Sequence, residues 1–178
     1  MISMLEALQN LLGLITVTAE VTDTKTLAAS TDYAAEDVLS NDASSGTYFI
    51  FDNMAKKNGG SGKIEKAEVM LSVTALTPRI TLYLFNRPPT SNLNDNAANA
   101  APAVGDWVGY QGELNFPALK DLGGVSSTTI TANTIGGLEL PYKCGDTKRL
   151  YGIAVLEDAV TGESAGMLLG FKLQIRQD

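Results

Sequence analysis

The fold is decided by Ala67-Glu68-Val69-Met70-Leu71-Ser72-Val73 and, after Thr77-Pro78, by Ile80-Thr81-Leu82-Tyr83-Leu84-Phe85. In the first run Ala67, Val69, Leu71 and Val73 alternate with Glu68, Met70 and Ser72. That is the period-2 pattern of a strand with one face buried. Pro78 has no backbone donor to give a ladder, so Thr77-Pro78 marks a corner. The second run places Ile80, Leu82 and Leu84 on one face and Tyr83 and Phe85 on the other, so coverage on both sides is expected. From Asn86 through Pro88-Pro89 and Asn94-Asp95-Asn96 to Asn99 no apolar period remains. A loop of about 15 residues inside a compact domain is uncommon and tends to be functional or disordered.

Outward from this pair the other runs are short and β-like. Val17, Ala19 and Val21 alternate with Thr18, Glu20 and Thr22, and Thr47–Phe51 is dense in aromatic and β-branched residues. Between them Asp23–Ser45 is polar and Ala-rich, and reads as a short helical turn or an irregular excursion. Asn58-Gly59-Gly60-Ser61-Gly62 signals a loop. Further on, Asp106–Gln111 reads as a strand or strand edge and Leu114–Leu122 as a loop pinned by its apolar residues. Ser126–Asn133 reads as a Thr-rich strand, Leu138–Tyr142 as an edge segment stopped by Pro141, and Arg149–Leu156 as a buried strand. In the last run Met167, Leu169, Phe171, Leu173 and Ile175 alternate with Leu168, Gly170, Lys172, Gln174 and Arg176, the cleanest period in the chain.

Residues 1–15 are different. Met4, Leu5, Leu8, Leu11 and Leu12 fall at helical spacing, which predicts an apolar arm ahead of a domain spanning 16–178. The arm either folds onto its own domain or buries its apolar face on another subunit. Its first charge is Glu6, so it lacks the positive start of a secretory signal, and it is too short and interrupted to span a bilayer. Many short strands, Gly-rich turns and little helix predict an all-β antiparallel β-sandwich with a short N-terminal helical arm. No Cys–Trp–Cys framework is present, which favours a jelly-roll-like sandwich over an immunoglobulin-like one.

Composition removes several chemistries. A net charge of −7 disfavours a nucleic-acid surface, since phosphate binding needs clustered Lys and Arg. There is no histidine, the commonest general base and transition-metal ligand. Cys144 is the sole cysteine, so an intrachain disulfide or cysteine zinc cluster is excluded, and it reads as a buried thiol. No phosphate loop, dinucleotide fingerprint or nucleophile elbow occurs. Neither catalysis nor a cofactor is expected.

Three constellations remain. Asn94-Asp95-Asn96 offers oxygen ligands for Ca²⁺ but lacks the acidic density and terminal Glu of a calcium loop; side chains bonding their own backbone in a turn is the favoured reading. Asp106 and Glu113 form a carboxylate pair of the kind used on glycosides, a pattern with little specificity. Trp107 and Tyr110 read as a sugar platform or as core or interface anchors.

Several stretches come in a suggestive order: Asp32-Tyr33-Ala34-Ala35-Glu36-Asp37-Val38-Leu39-Ser40, Gly60-Ser61-Gly62-Lys63-Ile64, Leu82-Tyr83-Leu84-Phe85-Asn86 with Pro88-Pro89-Thr90, Asn94-Asp95-Asn96-Ala97 and Leu150-Tyr151-Gly152-Ile153. Together they resemble a group of structural proteins encoded by tailed bacteriophages, from about residue 20 to the C-terminus. The resemblance implies a decoration or cement protein with a β-sandwich body, placed on a lattice of major capsid protein. It carries over no catalytic residues. Such a protein is made in the bacterial host cytoplasm and resides on the outer capsid surface, where acidic charge keeps it off the packaged genome. The alternative from another class is a carbohydrate-binding β-sandwich, with or without Ca²⁺. Contacts with neighbouring subunits are expected from Leu5, Leu8, Leu11 and Leu12 of the arm, or from Pro88, Pro89, Asn94, Asp95 and Asn96 of the loop. A free helix as short as the arm is marginal in water, so a homo-oligomer, trimer or dimer, is expected.

Overall fold

The last run of the sequence becomes β11 (Leu168–Gln177), and the first sheet assembles around it in a computed structural model that describes residues 16–28, 32–131, 139–161 and 166–178. On one side β11 pairs antiparallel with β1 (Val17–Thr26) over its whole length, Val17 opposite Gln177 and Thr26 opposite Leu168. On the other it pairs with β4 (Ser61–Leu71). The register slips between Gln174 and Ile175, so Ile64 and Ala67 both face the core although three positions apart. Beyond β4 lie β8 (Ser126–Thr131) and β9 (Leu140–Lys143) end to end, with β7 (Lys120–Asp121) outside β8.

The second sheet centres on β10 (Leu150–Leu156). One neighbour is β5 (Ile80–Phe85), which in turn pairs with β6 (Tyr110–Phe116). The other side is shared by β2 (Val38–Leu39) and β3 (Phe49–Phe51). Treating β2 with β3 and β8 with β9 as interrupted strands leaves eight runs, apart from the short β7. They pair first with last (β1·β11), second with seventh (β3·β10), third with sixth (β4·β8) and fourth with fifth (β5·β6). Successive pairs fall alternately into the two sheets, which is a long hairpin rolled up as a jelly roll. The all-β antiparallel sandwich read from the sequence is the observed architecture.

The sheets meet through alternate residues of each strand. Phe171 of β11 is buried and makes edge contacts with Phe49 at 5.0 Å and a tilted contact with Phe116 at 5.6 Å, so one ring from the first sheet grips two rings of the second. A side chain at Gly152 would meet Leu82 Cδ1 at 2.8 Å and Phe51 Cε2 at 3.1 Å, so a larger residue would have to push these two core side chains aside. The opposite face of the first sheet is polar, with Lys172 bonded to Glu68 and Arg176 to Glu65 and Glu139.

Several sequence boundaries move. Asp106–Gln111 is not a strand: Val104–Gly109 is a 3-10 turn, and β6 starts only at Tyr110. It then runs through Phe116, inside the stretch read as a pinned loop. Gln111 is an extra residue opposite the Leu84–Phe85 step, with Gly112 at φ 116°, and this bulge breaks the apolar period. Pro141 does not stop its strand but pairs with Lys63 inside β9, which bonds along one side only and so tolerates the missing donor. Val73 lies beyond the end of β4. The excursion after β1 is irregular except for β2, with no helical turn among its described residues. The arm, with Leu5, Leu8, Leu11 and Leu12, lies outside the described residues.

Truncating Phe171 tests the packing. Phe171→Ala is expected to cost about 3–5 kcal/mol by opening a cavity between the Phe49 and Phe116 rings. Lys172→Ala, on the outer face of the same strand, should cost about 0.5 kcal/mol or less. Urea denaturation midpoints of the two variants provide the comparison.

Candidate functional site

Strand β10 has no face turned to water. Leu150, Ala154 and Leu156 join the main core, while Tyr151, Ile153 and Val155 form a second cluster with Val38 and Phe85 on the outer side of the sheet. Something must cover that cluster, and the chain connecting β5 to β6, residues 86–109, does so. Leu93, Ala101 and Tyr110 pack onto it, with Tyr48 and Tyr83 at its borders. The loop without apolar period is therefore a flap laid back across its own sheet.

Two buried carboxylates pin the flap. Asp95 is 3% exposed; its Oδ1 accepts the Ser40 N–H at 2.6 Å and its Oδ2 the Tyr33 hydroxyl at 2.8 Å. Both partners belong to the segment between β1 and β3, so Asp95 ties two long connections together. Ala97 N–H returns to the Asn94 carbonyl, Asn96 holds φ 58°, and Asn94 N–H bonds the Asn92 side chain. The backbone turns here as expected, but the local side-chain bond comes from Asn92, while the side chains of Asn94, Asp95 and Asn96 bond Gly46, Ser40 with Tyr33, and Asp32, all distant in sequence. A side chain at Gly46 would strike the Leu93 carbonyl oxygen at 1.7 Å, so the flap and the 40–48 segment touch backbone to backbone.

Asp106, also 3% exposed, holds the far end of the flap. Its Oδ1 accepts the Thr90 N–H and hydroxyl, both at 2.8 Å; its Oδ2 accepts the Ser91 N–H at 2.9 Å and hydroxyl at 2.7 Å. Burial pushes this carboxyl up, but the four donors outweigh it and hold it below the ordinary carboxylate value. Asp106 is thus fully engaged within the chain, and Glu113 accepts separately from the Tyr110 hydroxyl and Asn115.

What Asp106 fixes is the 3-10 turn Val104–Gly109. With Asp106 turned inward, the neighbouring side chains turn outward: Val104 is 96% exposed, Val108 78% and Trp107 66%. Trp107 is stacked on Tyr110 at 5.7 Å with an interplanar angle of 27°, and burial together with the nearby Glu113 charge pushes the Tyr110 phenol well above its ordinary value. Three apolar side chains on one buttressed turn form a rigid knob. Trp107 and Tyr110 were legible as a pair; Val104 and Val108 were not, because their exposure follows from which way Asp106 points.

The other sequence candidates scatter. Pro88 is exposed and Pro89 buried; Asn94 and Asn96 are half-buried, and Asp95 faces inward. Cys144 is buried, which pushes its thiol up to about 11. Among the described residues no group of three His, Cys, Asp or Glu side chains could hold a metal ion, and no helix is long and apolar enough to cross a membrane.

No family model matches the chain, and no curated protein matches it in sequence. Solved structures with partial overlap include that of tomato aspermy virus, at 12% identity and a TM-score of 0.34 over 90% of this chain and 76% of that one. Desmodium yellow mottle tymovirus overlaps at 13% identity and a TM-score of 0.28, covering 91% and 87%. A decameric BFDV capsid protein overlaps at 11% identity and a TM-score of 0.28, covering 91% and 96%. These are viruses or a viral capsid protein by name. Scores of this size describe loose overlap, and the jelly-roll assignment stands on the strand pairing alone.

Trp107 is the chain's one tryptophan, so its fluorescence reports on the knob without interference. Asp106→Ala should lower stability by about 1–3 kcal/mol, because it strands buried donors, and should lower the steady-state anisotropy of Trp107. The lock also has a pH signature. The folded carboxyl lies below its unfolded value of about 3.9, so its contribution is complete above that pH and is lost as pH falls through the folded value. The Trp107 signal should hold steady from pH 7 to about 4.5 and change only under stronger acid.

Proposed function

We propose that this chain is a structural protein of a tailed-phage virion, decorating or cementing the capsid from outside as a homo-oligomer. The observation that carries this reading is the knob of Val104, Trp107 and Val108, exposed yet held rigid by a buried carboxylate. Large apolar side chains on a free surface are a cost unless covered, and Trp is a preferred anchor of protein interfaces. Fixing the turn in advance removes ordering entropy from the contact. A net charge of −7 favours a place away from the packaged genome. The ordered stretches that resemble those of tailed-phage structural proteins support the same reading. Partners are then the major capsid protein and further copies of the chain, with affinity accumulated over many sites.

The stacked Trp107–Tyr110 pair also favours a second reading, a carbohydrate platform. Two measurements separate them. Mass spectrometry of purified particles should find the chain, and the isolated protein should co-sediment with heads lacking it. Trp107→Ser should weaken that co-sedimentation about 10-fold or more while leaving the circular dichroism spectrum unchanged. Chelation with EDTA should have no effect. Retention on a glycan array without binding to particles would replace the capsid reading with the sugar-binding one.

A further inference from the structure

The knob has a counterpart on the same molecule. Where the edges of β1 and β3 face each other, a depression of about 380 Å³ is lined by Lys25, Thr47, Tyr48, Ile50 and Leu93, with Asp23 and Gly46 at its rim. Its walls are fixed. Asp23 Oδ2 accepts the Ile50 N–H at 2.7 Å, Lys25 Nζ donates to Thr47 Oγ1 at 2.7 Å, and Tyr48 stands edge-on against Tyr151 at 5.0 Å. Lys25 lies 5.2 Å from the centre of the Phe49 ring, and burial lowers its pKa. The volume falls within the range that holds small organic molecules and so has room for a ring system. Ile50, 37% exposed, and Leu93 supply apolar contact for such a ring, and a partly desolvated ammonium is what an aromatic face attracts.

Position completes the match. In the second sheet, ordered β2/β3, β10, β5, β6, the depression borders β3 at one edge, while the knob immediately precedes β6 at the other. A protrusion at one edge and a socket at the opposite edge cannot meet within one chain. They can meet between copies side by side, each offering its knob to the next, a heterologous contact that closes into a ring or continues along a lattice. The flap belongs to both halves, since it carries the knob and lends Leu93 to the socket.

We infer that Trp107, with Val104 and Val108, inserts into the Lys25–Thr47–Tyr48–Ile50–Leu93 socket of a second copy of this chain, joining copies head to tail. This deepens the proposed function by naming the partner of the knob, and rests on that reading only for the expectation of a homo-oligomer.

The test uses the full-length chain in sedimentation velocity over about 1–100 µM, a range that covers micromolar contacts. The wild type should form species larger than the monomer, with Trp107 emission shifting to the blue as they form. Trp107→Ser removes the knob and Ile50→Glu spoils the socket; each alone should be monomeric throughout. Thr47→Arg, at an exposed position that fills the socket, serves as an independent socket variant should Ile50→Glu not fold. Mixing is decisive. Trp107→Ser keeps a socket and the socket variant keeps a knob, so an equimolar mixture should give 1:1 dimers and nothing larger. A monomeric wild type, variants that still associate, or a mixture that stays monomeric would each overturn the assignment, and a socket variant that still associates by itself would point to a symmetric knob-to-knob contact. Co-sedimentation with heads is read separately: particle binding without self-association sinks this contact and leaves the capsid reading standing.

Discussion

Strand β10 must be dry on both faces, and much of the molecule follows from that demand. Its sequence from Leu150 to Leu156 has no charged side chain, and its one polar group is the Tyr151 hydroxyl. One face is satisfied by the main core between the sheets. The other needs a cover, and a jelly roll provides no third sheet. The connection from β5 to β6 supplies it, at the expense of bringing loop backbone against an apolar surface. Backbone groups there need partners, and Asp95 and Asp106 provide them by accepting from Ser40, Thr90 and Ser91.

The knob is a consequence of the same arrangement. Asp106 reaches inward to close the flap, and on a tight 3-10 turn this forces the side chains on either side of it outward. Rigidity and exposure therefore have one cause. An apolar cluster on a mobile loop would lose much of its contact energy to ordering; on this turn most of that loss has already been taken during folding. The polar outer face of the first sheet contrasts with it. There Glu68, Glu65 and Glu139 are tied up by Lys172, Lys63 and Arg176 in partly exposed pairs that add little stability.

Nesting of the strand pairs explains why the chain could be read in parts and not as a whole. The pairing of β1 with β11 joins residues near opposite ends of the chain, and among the four nested pairs only the innermost, β5 with β6, is close in sequence. Even that pair is separated by the flap. No local hairpin signal announces such partners, since turn chemistry governs only strands that are neighbours along the chain.

What the sequence determined by itself was therefore local. The alternation in Ala67–Leu71 and Met167–Ile175, and the two-sided run at Ile80–Phe85, specified strands, their inward faces and double coverage, because a strand's side-chain period is intrinsic to its backbone. Missing histidine and the single cysteine excluded a histidine base, an intrachain disulfide and a cysteine zinc cluster, because composition limits what a site can contain. Only tertiary structure decided that the Asn-rich loop is a flap, that Asp95 and Asp106 are internal locks, and that Val104 and Val108 stand in solvent. Those facts depend on which partners a carboxylate finds across the fold, and Tyr33, Ser40 and Ser91 become its neighbours only once the sheets have rolled. The Gln111 bulge and Pro141 within β9 were hidden for the same reason: an irregular strand is held by its neighbour's ladder, and the neighbour is chosen by topology.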